Sequence, residues 1–385
     1  MMLLIFIFII FILICIIYNC KPNEYFIRTA PPQKDILDYI APLVPPSPVI
    51  PITNKYIIFQ LDCGGLNNIR MQYELLVCLC WLSGRTLVLT PPKKIPHMDS
   101  VIDMSEIWDF DSLASTIPVK PAENLEYRKF FRNVEEGVYG TVYEPEWSPY
   151  THSRFDKKWM DTPAARTSDI WYFYCDRINK ISNNEFRKHR MLGNIDCYFD
   201  NLSNLEKKKL RGVVFSALKY NRKYFEEAKK QLNHLGLRPG HFNAIHIRNW
   251  EAQYKTSTSE DILSSMNINF EKNTPVFLLR WDVVKKEYIR DDVIEKQYNI
   301  VYPPMLKDSY EQAIVESLIC VCARKFVGSP LSTFSTNIIN MRGYVSRFTK
   351  LVNPNIRFTN GRTYEKCNNQ GGFHVASEKR WNIFD

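Results

Sequence analysis

At 385 residues, with 45% hydrophobic and 14% aromatic residues, the chain has material for two well-filled cores, which excludes disorder over most of its length. The formal net charge of +9 would suit a polyanion, yet Lys207-Lys208-Lys209, Lys229-Lys230 and Lys285-Lys286 fall in amphipathic segments as solvated faces. No nucleic-acid-binding motif is recognisable, so nucleic acid is set aside as a partner.

Met2 to Tyr18 is an unbroken apolar run, near the shortest length that spans a bilayer, and Lys21 follows it. A cleaved signal peptide wants small residues near its end, and Ile16-Ile17-Tyr18-Asn19-Cys20 offers none, so a retained signal anchor over residues 1–20 is preferred to a cleaved one. The expected topology is a single-pass type II membrane protein with its folded part in the ER or Golgi lumen. Pro31, Pro32, Pro42, Pro45, Pro46, Pro48 and Pro51 make residues 21–54 an extended stalk.

Tyr56 to Leu61 is an apolar run leading into Asp62-Cys63-Gly64-Gly65-Leu66-Asn67-Asn68-Ile69-Arg70, and an amphipathic run leaves it through Met71, Leu75, Cys78, Leu79 and Leu82. This reads as strand, glycine turn and helix, with Gly84 as a left-handed C-terminal cap and a second strand from Arg85 to Thr90. A Gly-Gly turn lets a ligand approach the backbone, and first-turn amides favour an anion or a sugar hydroxyl. A tight βα turn is the plainer reading, since neither GxGxxG nor a Walker lysine is present.

From Pro92 to Trp171 the sequence is irregular; Asp109-Phe110-Asp111 resembles a metal-binding DxD but reads better as a loop entering a helix. Asn201-Leu202-Ser203 is a glycosylation sequon, and Ser203 with Glu206 forms a capping box that puts Asn201 in a surface turn. Of ten cysteines, Cys78, Cys80, Cys320 and Cys322 sit in apolar runs as buried free thiols, while Cys63, Cys175, Cys197 and Cys367 are the candidates for bridges of unreadable connectivity. No zinc spacing occurs. Asn221 to Leu235 is a charged amphipathic helix ended by Gly236, Pro239 and Gly240, which sets the domain boundary: residues 55–238 and 239–385.

Phe242 to Arg248 is a short apolar strand that delivers His246 and Arg248 at its C-terminal end, the edge where open α/β sheets bind ligands. An arginine fork suits phosphate, and a neighbouring imidazole adds a hydrogen bond. Thr274 to Leu279 is a second strand ending in a loop Arg280-Trp281-Asp282, and Asn299 to Tyr302 a third. A helix from Tyr310 to Ala323 follows Asp308, with Glu311 as its capping partner, and Lys325 to Gly328 is the next strand. Ser332, Thr333 and Phe334 then open a helix; two hydroxyls and first-turn amides make a phosphate cradle, although such a cluster is commonly only a cap.

Three of these stretches, taken together, resemble the GDP-fucose O-fucosyltransferase family, particularly its plant-type branch. Gly-Gly-Leu-Asn-Asn-x-Arg before a helix and Arg-Thr-Leu-Val-Leu is similar to its first motif, His246-Ile247-Arg248 to its donor-pyrophosphate motif, and Gly-x-Pro-Leu-Ser-Thr-Phe-Ser to its C-terminal motif. The resemblance implies an α/β, GT-B-like fold of two Rossmann-like domains facing a cleft, with the C-terminal one binding the GDP-sugar. It implies an inverting, metal-independent transfer of L-fucose from GDP-fucose to a protein Ser/Thr or glycan hydroxyl, with no cofactor. Donor contacts fall to Gly64, Gly65, Asn67, His246, Arg248, Asp282, Ser332, Thr333 and Phe334, catalytic roles to Asn67, Arg248 and Glu251, and Arg70 to a phosphate or structural contact. Three departures stand out: Asn249-Trp250-Glu251 replaces a second basic residue, Trp281 precedes Asp282, and Gly64 holds the position where some members carry a glutamate base. Asp62 or Glu251 could substitute. The alternatives are another deoxysugar donor such as rhamnose, or a catalytically silent, anchored sugar-binding protein.

Overall fold

The computed structural model describes residues 54–61, 65–94, 101–121, 132, 142–143, 160–173, 203–248, 258–282, 287–329, 332–335, 337–338, 341–342 and 374–375. The anchor, the stalk up to residue 53, the sequon asparagine, the six cysteines outside 78–80 and 320–322, Gly64 and Glu251 lie outside these residues.

Strand β1 (Tyr56–Phe59) is followed by α1 (Leu66–Ser83) and β2 (Thr86–Val88), the expected strand, turn and helix. Gly84 closes α1 at φ 70°, a conformation only glycine adopts freely, and its N–H reaches the Cys80 carbonyl at 2.8 Å. The periodicity predicts one buried face, but α1 is buried on nearly every side, and Cys78 and Cys80 are fully buried free thiols. A hairpin of β3 (Lys93–Lys94) and β4 (Val101–Ile102) and two short helices, α2 (Met104–Ile107) and α3 (Phe110–Thr116), occupy the irregular stretch. Asp109 caps α3, accepting from the amides of Asp111 and Ser112, so the DxD is a helix entrance. Strands β5 (Val119–Lys120), β6 (Val142–Tyr143) and β7 (Ile170–Phe173), the last preceded by α4 (Pro163–Thr167), complete an all-parallel sheet in the order β5-β2-β1-β7-β6.

Two helices then cross between the sheets. α5 (Asn204–Ala217) opens with the predicted Ser203–Glu206 capping box and packs on α1 and α3. α6 (Arg222–His234) buries Tyr224, Phe225, Ala228, Gln231 and Leu232, the 3.6-residue stripe of one helix face, against α9 of the second half. Gly236, at φ 65°, and Gly240, at φ 76°, turn the chain into the second sheet.

That sheet contains β8 (Asn243–Ile247), β9 (Val276–Asp282), β11 (Ile300–Val301) and β12 (Lys325–Gly328), all parallel, flanked by antiparallel β10 (Glu287–Tyr288) and β13 (His374–Val375). Its helices are α7 (Ser259–Asn269), α8 (Asp292–Glu295) and α9 (Ser309–Cys322). Two local expectations fail. Arg280-Trp281-Asp282 is strand and not loop, because Asp282 and Trp281 pair with Glu287 and Tyr288 of β10. Glu311 does not cap α9: Asp308 holds the N-cap position with no side-chain hydrogen bond, and Glu311 instead faces Lys223 of α6 at 3.7 Å.

Both faces of the second sheet are covered, as parallel sheets require. One packs Ile245, Ile247, Val276, Leu278 and Val327 against α7, and the other turns Ala244, Phe277, Leu279 and Phe326 into a core continuous with that of the first sheet. In each sheet the chain starts on a central strand, builds outward on one side, then returns to the other: β1 has β2 and β7 as neighbours, β8 has β9 and β12. Such reversals leave a crevice at the carboxyl ends of the central strands.

Candidate active site

The crevice of the second sheet is the better furnished. β8 and β12 run in register, so His246 lies beside Gly328. Ser329, the first residue beyond β12, donates from its amide (3.0 Å) and its hydroxyl (3.2 Å) to the His246 carbonyl. The same hydroxyl accepts the Arg248 amide at 2.7 Å. The backbone carrying the arginine is thereby fixed to the neighbouring strand end, and Arg248 itself is half-buried at the sheet edge.

The imidazole of His246 is held from above. Its Nδ1 lies 2.8 Å from the Ser335 hydroxyl, and its ring sits 4.7 Å from that of Phe334, tilted by 49°. Ser332 accepts the Ser335 amide at 3.4 Å, closing the first turn of the helical segment that begins at 333. Gly328 makes the approach possible. A Cβ there would stand 2.6 Å from both Cβ and Oγ of Ser335, so any other residue would push the segment off the strand. Burial, reinforced by the positive charge of Arg248, lowers the His246 pKa from 6.5 to about 3, and the ring is neutral at every physiological pH.

His246, Arg248, Ser332 and Phe334 are thus brought together, with Thr333 half-buried among them in sequence. Asp282 ends β9, on the other side of β8 from β12, half-buried and facing away from the Trp281 side of its strand. Ser329, Ser335 and Gly328 were not singled out from sequence. All three lie in the motif already noted, but only the register of Gly328 against His246 reveals their part.

At the first sheet's crevice, Gly65 is the N-cap of α1 with φ −70° and ψ 173°, open to any residue, and a Cβ built there meets no described atom within 4 Å. Neither conformation nor packing within the described residues explains glycine at this position. Asn67, in the first turn of α1, is 8% exposed. Arg70 resolves as a structural residue: 4% exposed, it pairs with Glu74 at 3.1 Å and lies 5.3 and 5.1 Å from the rings of Trp108 and Tyr220. Among the described residues no three His, Cys, Asp or Glu side chains are grouped to hold a metal ion, and no helix is long and apolar enough to cross a membrane.

Parallel sheets, crevices at strand reversals, and a neutral histidine and arginine beside a Ser/Thr helix entrance define an α/β protein with a ligand-binding sheet edge. Residues 56–277 match the family model described as GDP-fucose protein O-fucosyltransferase, more than half of the chain, and the chain belongs to that family of fucosyltransferases. The matched span takes in the first crevice, His246 and Arg248, and stops in β9, before the Ser332–Ser335 segment. No curated protein matches the chain. Among solved structures, a variant of Arabidopsis thaliana FUT1 in complex with GDP shares 12% identity over 75% of this chain and 69% of its own, with a TM-score of 0.47. POFUT1 in complex with GDP-fucose shares 17% over 77% and 96%, with a TM-score of 0.44. NodZ alpha-1,6-fucosyltransferase from Bradyrhizobium, soaked with GDP-fucose, shares 11% over 84% and 99%, also at 0.44. At such scores the family assignment rests on the sequence match.

Proposed function

We propose that the chain transfers L-fucose from GDP-fucose to a hydroxyl of a protein Ser/Thr or a glycan, with inversion and without a metal, from a lumenal domain held to the membrane by residues 1–20. The carrying observation is the cluster at the β8–β12 edge, where the residues of two separate motifs hold one another in hydrogen-bond contact. In this reading the guanidinium of Arg248 grips the diphosphate bidentately. The neutral His246, engaged at Nδ1, addresses the donor through Nε2. The amides at the start of the 333 segment take a phosphate oxygen, as a helix entrance does. Asp282 lies toward the nucleotide base, and residues 55–238 and 239–385 form the acceptor and donor domains.

The reaction breaks the bond from the fucose anomeric carbon to the β-phosphate oxygen and forms one to the acceptor oxygen on the opposite face, while the acceptor proton leaves late. Stabilising the departing diphosphate is then the larger part of catalysis, and Arg248 with the amides is preorganised for it. Asn67 orients the acceptor hydroxyl or the leaving oxygen, and Gly65, whose missing Cβ would meet no described atom within 4 Å, admits the acceptor or the donor sugar. Asp62 or Glu251 is the candidate base.

The test is release of GDP by purified residues 52–385 across a panel of GDP-sugars and acceptors, in the presence of a chelator. GDP-fucose should be turned over and the NMR coupling of the product should show an α-fucoside. Preference for GDP-rhamnose would change the donor, and nucleotide binding without any turnover would make the chain a sugar-binding protein.

A further inference from the structure

The two crevices belong to different sheets, and one side chain touches the elements that serve both. The segment between α5 and α6 runs antiparallel to the loop between α2 and α3: Asp109 donates its amide to the Lys219 carbonyl at 2.9 Å and Asn221 donates to Ile107 at 2.8 Å. This pairing lays Tyr220 flat on Trp108, with ring centroids 5.2 Å apart and planes 15° from parallel. The guanidinium of Arg70, one turn along α1 from Asn67, lies against both rings and reaches the Leu218 carbonyl at 3.5 Å. On its other side the Tyr220 hydroxyl accepts from Nδ2 of Asn337 at 3.3 Å. Asn337 is two residues beyond Ser335, the side chain that holds His246. Tyr220 is 4% exposed, so its hydroxyl has no surface role. It also stands where the chain passes from α5, packed on the first half, to α6, packed on the second.

We infer that Tyr220 is a positioning residue that sets the first turn of α1, with Asn67, against the phosphate-side segment that carries Ser335, so that acceptor and donor meet in line. The inference rests on the reading of the site given above. The ring serves the first half and the hydroxyl the second.

Tyr220→Phe retains the ring and removes only the link to Asn337. Its kcat with GDP-fucose should fall by about three- to tenfold, the weight of one hydrogen bond, while GDP affinity and the KM for GDP-fucose stay within about twofold. Asn337→Ala should reproduce this loss, and the double variant should add little to either, since both remove one contact. Backbone hydrogen exchange, which needs no turnover, should quicken in Tyr220→Phe at the start of α1 and at 333–338 but not in β8. An unchanged kcat with unchanged exchange, additive losses in the double variant, or a loss of GDP affinity equal to the loss of kcat would each overturn the inference. Should the wild-type chain turn over no GDP-sugar, the site reading fails, and the exchange measurement alone still decides whether Tyr220 couples the two segments.

Discussion

The two crevices are built on the same plan and use their polar residues in opposite ways. At the first, the arginine of the glycine motif is turned inward, paired with Glu74 and packed against Trp108 and Tyr220. At the second, Arg248 has its backbone fixed by Ser329 and stays half-buried at the strand edge. Two further arginines extend the contrast. Arg85 donates to the carbonyls of Ala165, Ser168 and Asp169 beneath Trp171, and Arg342 donates to Cys320, Val321, Ala323 and Arg324 at the carboxyl end of α9, where the helix dipole favours a cation. An arginine inside a motif is therefore not by that fact a ligand contact. Carbonyls, a carboxylate or rings surround the guanidinium in Arg70, Arg85 and Arg342, and each serves the fold there.

The contrast breaks most visibly at Arg70. Arg70→Met leaves Glu74 buried without its cation, and thermal or denaturant unfolding should show a loss of about 3–5 kcal/mol. Most of this should return in Arg70→Met/Glu74→Leu, and the folded protein should bind GDP as before. If single and double variants lost nucleotide affinity while remaining folded, Arg70 would be a ligand contact after all. Next comes Arg248→Ala, which should abolish the rise in melting temperature with GDP and lower turnover by about two orders of magnitude or more, the scale of one preorganised transition-state contact. Asn67→Ala should match that loss in turnover while retaining the GDP response. Full activity in Arg248→Lys would argue against a bidentate grip.

A smaller effect belongs to Gly328→Ala. The added methyl meets Ser335 at 2.6 Å, and overpacking of this kind costs about 1–3 kcal/mol. The calorimetric loss should come with weaker GDP binding, because the displaced Ser335 no longer holds His246; a drop in melting temperature with unaltered GDP affinity would separate the two. The smallest concerns Glu316 on α9, which accepts from the Tyr288 hydroxyl and from Gln312 at 2.7 Å. Burial pushes its pKa from 4.5 up to about 7 despite these two bonds. The folded state thus holds a proton that the unfolded chain has lost, so this contribution to stability is complete below about pH 4.5 and disappears as pH rises through 7. The slope should be at most about 1.4 kcal/mol per pH unit. Glu316→Gln, neutral throughout, should flatten that part of the stability curve; an unchanged slope would assign it to other groups.

Much of the secondary structure was legible because its signals are local. Gly84 as a left-handed cap, the Ser203–Glu206 box, Asp109 as a helix entrance, and the strand at Lys325–Gly328 each depend on residues within one turn of each other. The same holds for His246 and Arg248 at a strand end, since strand and following residue are contiguous. The range of β9 was misread because Arg280 to Asp282 carry no apolar alternation; they are strand only through pairing with β10. Glu311 was given to a cap by its spacing and instead lies near Lys223, a partner supplied by another helix.

Sequence by itself determined β1, β2, β8, β11 and β12 and the start of β9, the two glycine-marked turns, the burial of Cys78, Cys80, Cys320 and Cys322, and the motifs that the family match later covered in part. Tertiary structure decided what those motifs do to one another. Whether Arg70 faces a ligand or an aromatic stack depends on Trp108 and Tyr220, 38 and 150 positions away. Likewise Gly328 matters only because parallel pairing of β8 with β12 sets it beside His246 and beneath Ser335. Helix and turn preferences act over a few residues, whereas the contacts that fix an arginine's role or demand a missing Cβ exist only once sheets have paired and packed.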